Sequence, residues 1–147
     1  MSKKGYEKFG ERNFGLSNGT AGNSEGDIIW LGTTTVVAGK VYYLTSGDSD
    51  WAKADADSEG ASKNLLAVAR GTGAAATVGM LVRGVVTLAD DPGVGVGLPM
   101  YLSTVAGTLS RVAPTAAGDV IRVAGYQLVD GGKIWFDPDP TYILIGE

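Results

Sequence analysis

Val41-Tyr42-Tyr43-Leu44-Thr45-Ser46 returns 58 residues later as Pro99-Met100-Tyr101-Leu102-Ser103-Thr104. At the same offset Trp51 falls on Leu109 and Ala54 on Val112. Leu65-Leu66-Ala67-Val68-Ala69 aligns with Val120-Ile121-Arg122-Val123-Ala124, and Gly79-Met80-Leu81-Val82 with Gly132-Lys133-Ile134-Trp135. Apolar positions and turns recur while charged positions do not, which is how a repeated packing unit reads, as opposed to a repeated reaction centre. The pseudo-repeat covers about 40–88 and 98–137 and predicts two similar halves around one core.

Outward from the repeat, short runs rich in β-branched and aromatic residues dominate. They include Ile28-Ile29-Trp30-Leu31, Thr35-Val36-Val37, residues 80–88, 120–129 and 133–136, and Tyr142-Ile143-Leu144-Ile145. Between them lie Gly-Asp, Asp-Asp-Pro-Gly, Asp-Gly-Gly and Asp-Pro-Asp-Pro strings that punctuate a chain at turns. The pattern predicts an all-β fold, an antiparallel β-sandwich or barrel built from two similar halves. Residues 52–66 have helical composition but hold Gly60 and a weak apolar stripe, enough for a turn or two. In residues 79–88, Met80, Val82, Val86 and Leu88 fall on one face and Leu81, Arg83, Val85 and Thr87 on the other. Gly84 is the expected bulge, and the strand is apolar on both faces, hence covered on both.

Residues 1–27 show neither a helical nor a strand period and form an extended N-terminal arm; residues 28–147 form a single β domain. Lys3, Lys4, Tyr6, Phe9, Arg12 and Phe14, spaced cations and aromatics on a glycine-rich segment, are the candidate partner-binding residues of that arm.

Composition removes several function classes. With 147 residues the chain suits one domain, and with no cysteine and no histidine it lacks thiol chemistry, the commonest metal ligands and the commonest general base. A net charge of −4 repels phosphate backbones, so nucleic acid is not an expected partner. No apolar run approaches the roughly 20 residues of a membrane helix and no signal peptide is legible, so the expectation is a chain made in the cytoplasm with no membrane partner. Asp48, Asp50, Asp55 and Asp57 are oxygen ligands in number, and Glu59 stands at the twelfth position counted from Asp48, but Lys53 occupies the sixth, where a calcium loop needs Gly. They read as solvated turn residues. Gly93-Val94-Gly95-Val96-Gly97 lacks dinucleotide-loop spacing and reads as a turn. No metal, no cofactor and no enzymatic activity are expected. The aromatics Trp30, Trp51, Trp135, Tyr42, Tyr43, Tyr101 and Tyr126 suit packing better than a sugar platform, because Trp51 and Leu109 are repeat partners.

Taken together, Val41-Tyr42-Tyr43-Leu44, Trp51-Ala52-Lys53-Ala54-Asp55-Ala56-Asp57, Gly79-Met80-Leu81-Val82-Arg83-Gly84, Asp91-Pro92-Gly93, Met100-Tyr101-Leu102-Ser103, residues 118–126 and Ile134-Trp135-Phe136-Asp137-Pro138-Asp139 carry a resemblance. The order and spacing resemble a β-rich module of virion structural proteins from tailed bacteriophages, marine ones especially, and more loosely the capsid decoration (cement or head accessory) proteins. The resemblance covers about residues 28–145. It implies a protein on the capsid exterior that binds the major capsid protein and stabilises the shell at subunit seams, as a homo-oligomer with a trimer favoured. The same module occurs in fibre and tail-associated proteins, which keeps host-glycan binding as the alternative.

Overall fold

The computed structural model describes residues 19–146. The six arm residues singled out above lie outside them. Two hairpins set the pattern. β3 (Val41–Leu44) meets β4 (Trp51–Lys53) with Leu44 opposite Trp51, and β8 (Pro99–Leu102) meets β9 (Leu109–Ser110) with Leu102 opposite Leu109. The hairpin registers therefore coincide at the 58-residue offset. β3 then pairs with β5 (Leu66–Ala69) and β5 with β7 (Met80–Thr87), while β8 pairs with β11 (Val123–Val129) and β11 with β12 (Lys133–Phe136). β7 and β12 join the halves, giving the order β4-β3-β5-β7-β12-β11-β8-β9. In repeat equivalents that order reads the same from either end.

The fold is all-β and antiparallel, and its one large sheet curls into a half-barrel, so the barrel alternative holds in an incompletely closed form. Closure at the far edges rests on a few bonds beyond the strands: Gly107 N donates to Ala54 O at 2.8 Å, and Ala56 N to Ser103 O at 2.8 Å. Ala54 and Ala56 are fully buried there, small enough for the two edges to approach. The concave core contains Val41, Leu66, Val68, Leu81, Val86, Met100, Leu102, Ile134 and Phe136.

Four expectations need correction. Leu66 lies opposite Tyr43, but the residue opposite Tyr101 is Val123, so the alignment of Leu66 with Ile121 is two residues out. Ile121 belongs to β10 (Val120–Ile121), paired with β13 (Ile143–Leu144). Facing also differs between the halves: Trp51 joins a second cluster on the outer face, whereas its partner Leu109 joins the concave core. With a side-chain period of two, a one-residue offset in how a hairpin is presented exchanges its faces while leaving its pairing intact.

The arm does not extend to residue 27, because β1 (Ser24–Ile29) pairs along β7 and Gly22 N donates to Thr87 O at 2.8 Å. Within 52–66 the helical structure is, as expected, no more than a turn, the 3₁₀ turn Glu59–Ala61, and a one-turn helix also forms at Ala75–Val78. The faces of β7 switch at the bulge, with Met80 and Val82 on the outer side and Val86 and Leu88 in the core. The extra residue is Val82, skipped between Leu81 and Arg83 in the register with β1; Gly84, two residues on, is regularly paired with Gly26, at φ +146° against +154°, and a Cβ on Gly84 would stand 2.2 Å from Glu25 O. Only glycines allow the β1 and β7 backbones to approach this closely.

Candidate functional site

The two halves are covered unequally, and this places the candidate surface. Outside the first half, Tyr42, Trp51, Ala67, Ala69 and Met80 lie beneath Val36, Ala75 and Val78. These come from β2 (Thr35–Val36), its partner β6 (Gly73–Ala74) and the following helical turn, which form a cap from the chain itself. Polar side chains fasten the cap. Asp50 accepts from Thr34 N at 3.0 Å, Thr33 Oγ1 at 2.8 Å and Thr33 N at 3.2 Å; Trp51 Nε1 donates to Leu31 O at 2.8 Å, and Val37 N to Tyr42 Oη at 2.8 Å. The Thr34 amide and the Thr33 hydroxyl hold the Asp50 carboxyl well below the usual range.

No such cap covers the second half among the described residues. Along β8, β9, β11 and β12 the residues that alternate with the core are Pro99, Tyr101, Ser110, Val123, Tyr126, Leu128, Lys133 and Trp135, and none is buried. Trp135 lies opposite Tyr126, which lies opposite Pro99, so a lateral row of rings crosses three strands. Tyr126 is 47% exposed, and the Arg83 guanidinium sits 5.1 Å from the Trp135 ring centre. Arg83 also pairs with Asp137 at 3.5 Å. The aromatic row is what the sequence undervalued. Alternation in residues 123–129 marks its outward side, but only the cap's position shows that no other described segment covers it.

Next to the row, the sheet splits. β1 runs along one edge of β7, so β5 and β12 take successive lengths of the other edge, β5 at Met80 and Leu81 and β12 from Gly84 to Thr87. Asp137-Pro138-Asp139-Pro140 explains why they diverge. Expected to be a turn, this string instead runs on beside β11, with Asp137 N donating to Ala124 O and Asp139 N to Val123 O, both at 2.9 Å. The two prolines have no N–H to offer on the other side, so no ladder toward β7 and β5 can form. A cleft of about 310 Å³ opens at the divergence, lined by Lys63, Asn64, Leu65, Leu66, Val82, Arg122, Asp137, Pro138 and Pro140. Shallower depressions of about 300 and 200 Å³ continue from it past Tyr126 and Val123 to Tyr142 and Ile143.

Arg122 spans the split from below. Its Nη1 donates to Ser62 O and Asn64 O, and its Nε to Asp139 O. Burial pushes its guanidinium downward from the ordinary value, opposed by the Asp139 charge. The Thr141 amide and hydroxyl depress Asp139, and Tyr142, donating to Glu59 Oε2 at 2.6 Å, is raised by that bond.

The remaining carboxylates do not converge. Asp48 bonds the Thr45 hydroxyl, Asp50 holds the cap, and Asp55 accepts from Asp57 N, burial raising the Asp55 carboxyl. Among the described residues no group of three or more His, Cys, Asp or Glu is placed to hold a metal ion. A further depression of about 310 Å³ near Pro114 has Asp119 as its sole charged lining residue. What the uncapped face offers is aromatic area and a cleft lined by a buried cation. Compared with family models, curated proteins and solved structures, the chain matches none.

Proposed function

We propose that this chain is a virion structural protein that binds the outside of a phage capsid and stabilises it at subunit seams, acting mechanically, with neither catalysis nor cofactor. One observation carries the reading. Among the described residues the chain caps one outer face with its own segments and leaves the equivalent face uncapped, where Tyr126 and Leu128 are exposed and Tyr101, Val123 and Trp135 half-buried. Aromatic rings flanked by arginine have the composition of interface hot spots, and apolar area of this kind is stabilised when a partner covers it. The resemblance set out above supplies the partner, the major capsid protein. A homotrimer around local threefold axes is the form that the resemblance favours. Many copies acting together convert modest contacts into a large effect on the shell.

The test is binding of purified protein to undecorated capsids by co-sedimentation. Tyr126→Ala and Trp135→Ala, which leave the concave core untouched, should each reduce occupancy at least tenfold. Undiminished binding by both would remove the uncapped face from the interface.

A second reading is a fibre or tail-associated module that binds host glycans, favoured by the exposed Tyr126 ring beside Asp137 in a shallow depression. Binding of the chain to host-surface polysaccharide, with no affinity for capsids, would select it.

A further inference from the structure

Arg122 is 5% exposed, yet among the described residues no carboxylate hydrogen-bonds its guanidinium. Its three intramolecular bonds, of 2.6 to 2.7 Å, all run to main-chain carbonyls, which orient a cation without neutralising it, and the nearby Asp139 charge opposes the effect of burial without overcoming it. Nε and Nη1 are fully used in this way, whereas Nη2 makes no bond to the described residues. Arg122 lines the cleft, and Nη2 is the guanidinium nitrogen left without a described partner there. A guanidinium held by three such bonds is a preorganised donor.

We infer that this cleft is a socket for a carboxylate, and that its occupant is an aspartate or glutamate side chain presented by a partner protein. Leu65, Leu66, Val82 and the two prolines wall the cleft, matching the methylene stem of an acidic side chain and strengthening the charge-assisted bond at its end. Lys63 adds a second cation at the lining, and the Asp137 charge is offset by Arg83. A phosphate dianion suits the site less. It would meet a single guanidinium nitrogen without a described partner, and its second charge would double the repulsion from Asp139 that a carboxylate meets only once. The socket stands independently of the decoration reading; only the identification of the partner as a capsid protein rests on it.

The experiment is a titration of the full chain followed by NMR of backbone amides and of the arginine Nε–H groups. The probes are N-acetylglutamate amide, its glutamine counterpart and inorganic phosphate. The glutamate probe should shift Arg122, Leu65 and Val82 along one saturable curve, the glutamine probe should not, and Lys63→Glu should weaken the response several-fold. Arg122→Gln should abolish it; since this variant also deprives three carbonyls of their donor, Lys63→Glu, on an exposed residue, keeps the test independent of folding. Equal shifts from the glutamine probe, preference for phosphate, or unsaturable shifts scattered over the surface would overturn the socket. If the socket binds the glutamate probe while Lys63→Glu protein decorates capsids normally, the socket survives and its use on the capsid does not.

Discussion

Asp50 fastens the cap to the sheet with one carboxylate that accepts from Thr33, Thr34 and the Trp51 amide. Because the folded chain holds this group below its ordinary value of 3.8, its contribution is fully present above that pH and is lost as pH falls toward the lower folded value. Asp50→Ala should therefore lower Tm at neutral pH, and the gap from the parent should close in strongly acidic solution. Thermal melts of both proteins across pH check this; a gap that persists unchanged in acid would show that the cap is held by packing alone. A second comparison separates the two residues that the repeat aligned. Leu66 is fully buried in the core, so Leu66→Ala should cost about 2–5 kcal/mol in denaturant unfolding, while half-buried Ile121 should cost well under that. Equal costs would restore the alignment that the strand register rejects.

Among the elements, β7 carries the most and shows what a sequence discloses. Its apolar residues on both faces foretell cover on both sides, but the bulge expected at Gly84 falls at Val82, and Gly84 serves the close approach to Gly26 instead. The exchange of faces at that bulge is not legible, because one additional residue reverses every later side chain and strings of residues do not record where it is inserted. Gly84→Ala should cost about 1–3 kcal/mol, combining an unfavourable φ with overlap on Glu25 O. Gly47 is also at positive φ, but an added Cβ there would meet nothing within 4 Å, so its substitution by Ala should lose only the conformational part. Similar losses at both sites would mean that the β1–β7 approach is looser than the strand geometry indicates. The hairpins β3–β4 and β8–β9 are legible as repeats at the 58-residue offset, which their registers, Leu44 with Trp51 and Leu102 with Leu109, share. The cleft is not, since Asp-Pro-Asp-Pro carries a strong turn signal and its extended course depends on Ala124 and Val123 standing on β11 to accept its two amides. Arg122 is hidden for a related reason: its carbonyl partners lie 60, 58 and 17 residues away.

For the whole molecule, the boundary of the arm can be tested by truncation. Deleting residues 1–18 should leave a folded body, because β1 is untouched, and should weaken decoration if Tyr6, Phe9 and Phe14 anchor it. Deleting 1–27 removes most of β1 and should unfold the domain, as circular dichroism would report. Treatment with a chelator should leave Tm unchanged, given carboxylates committed to separate turns; a fall reversed by calcium would reveal a structural ion. The measurement that bears most directly on the decoration reading compares the heat resistance of particles with and without this chain. Particles lacking it should assemble but release DNA at a lower temperature, and added purified protein should restore resistance in proportion to occupancy. Undecorated particles that prove equally robust, yet fail to adsorb to host cells, would contradict the account and transfer the uncapped aromatic face to glycan recognition.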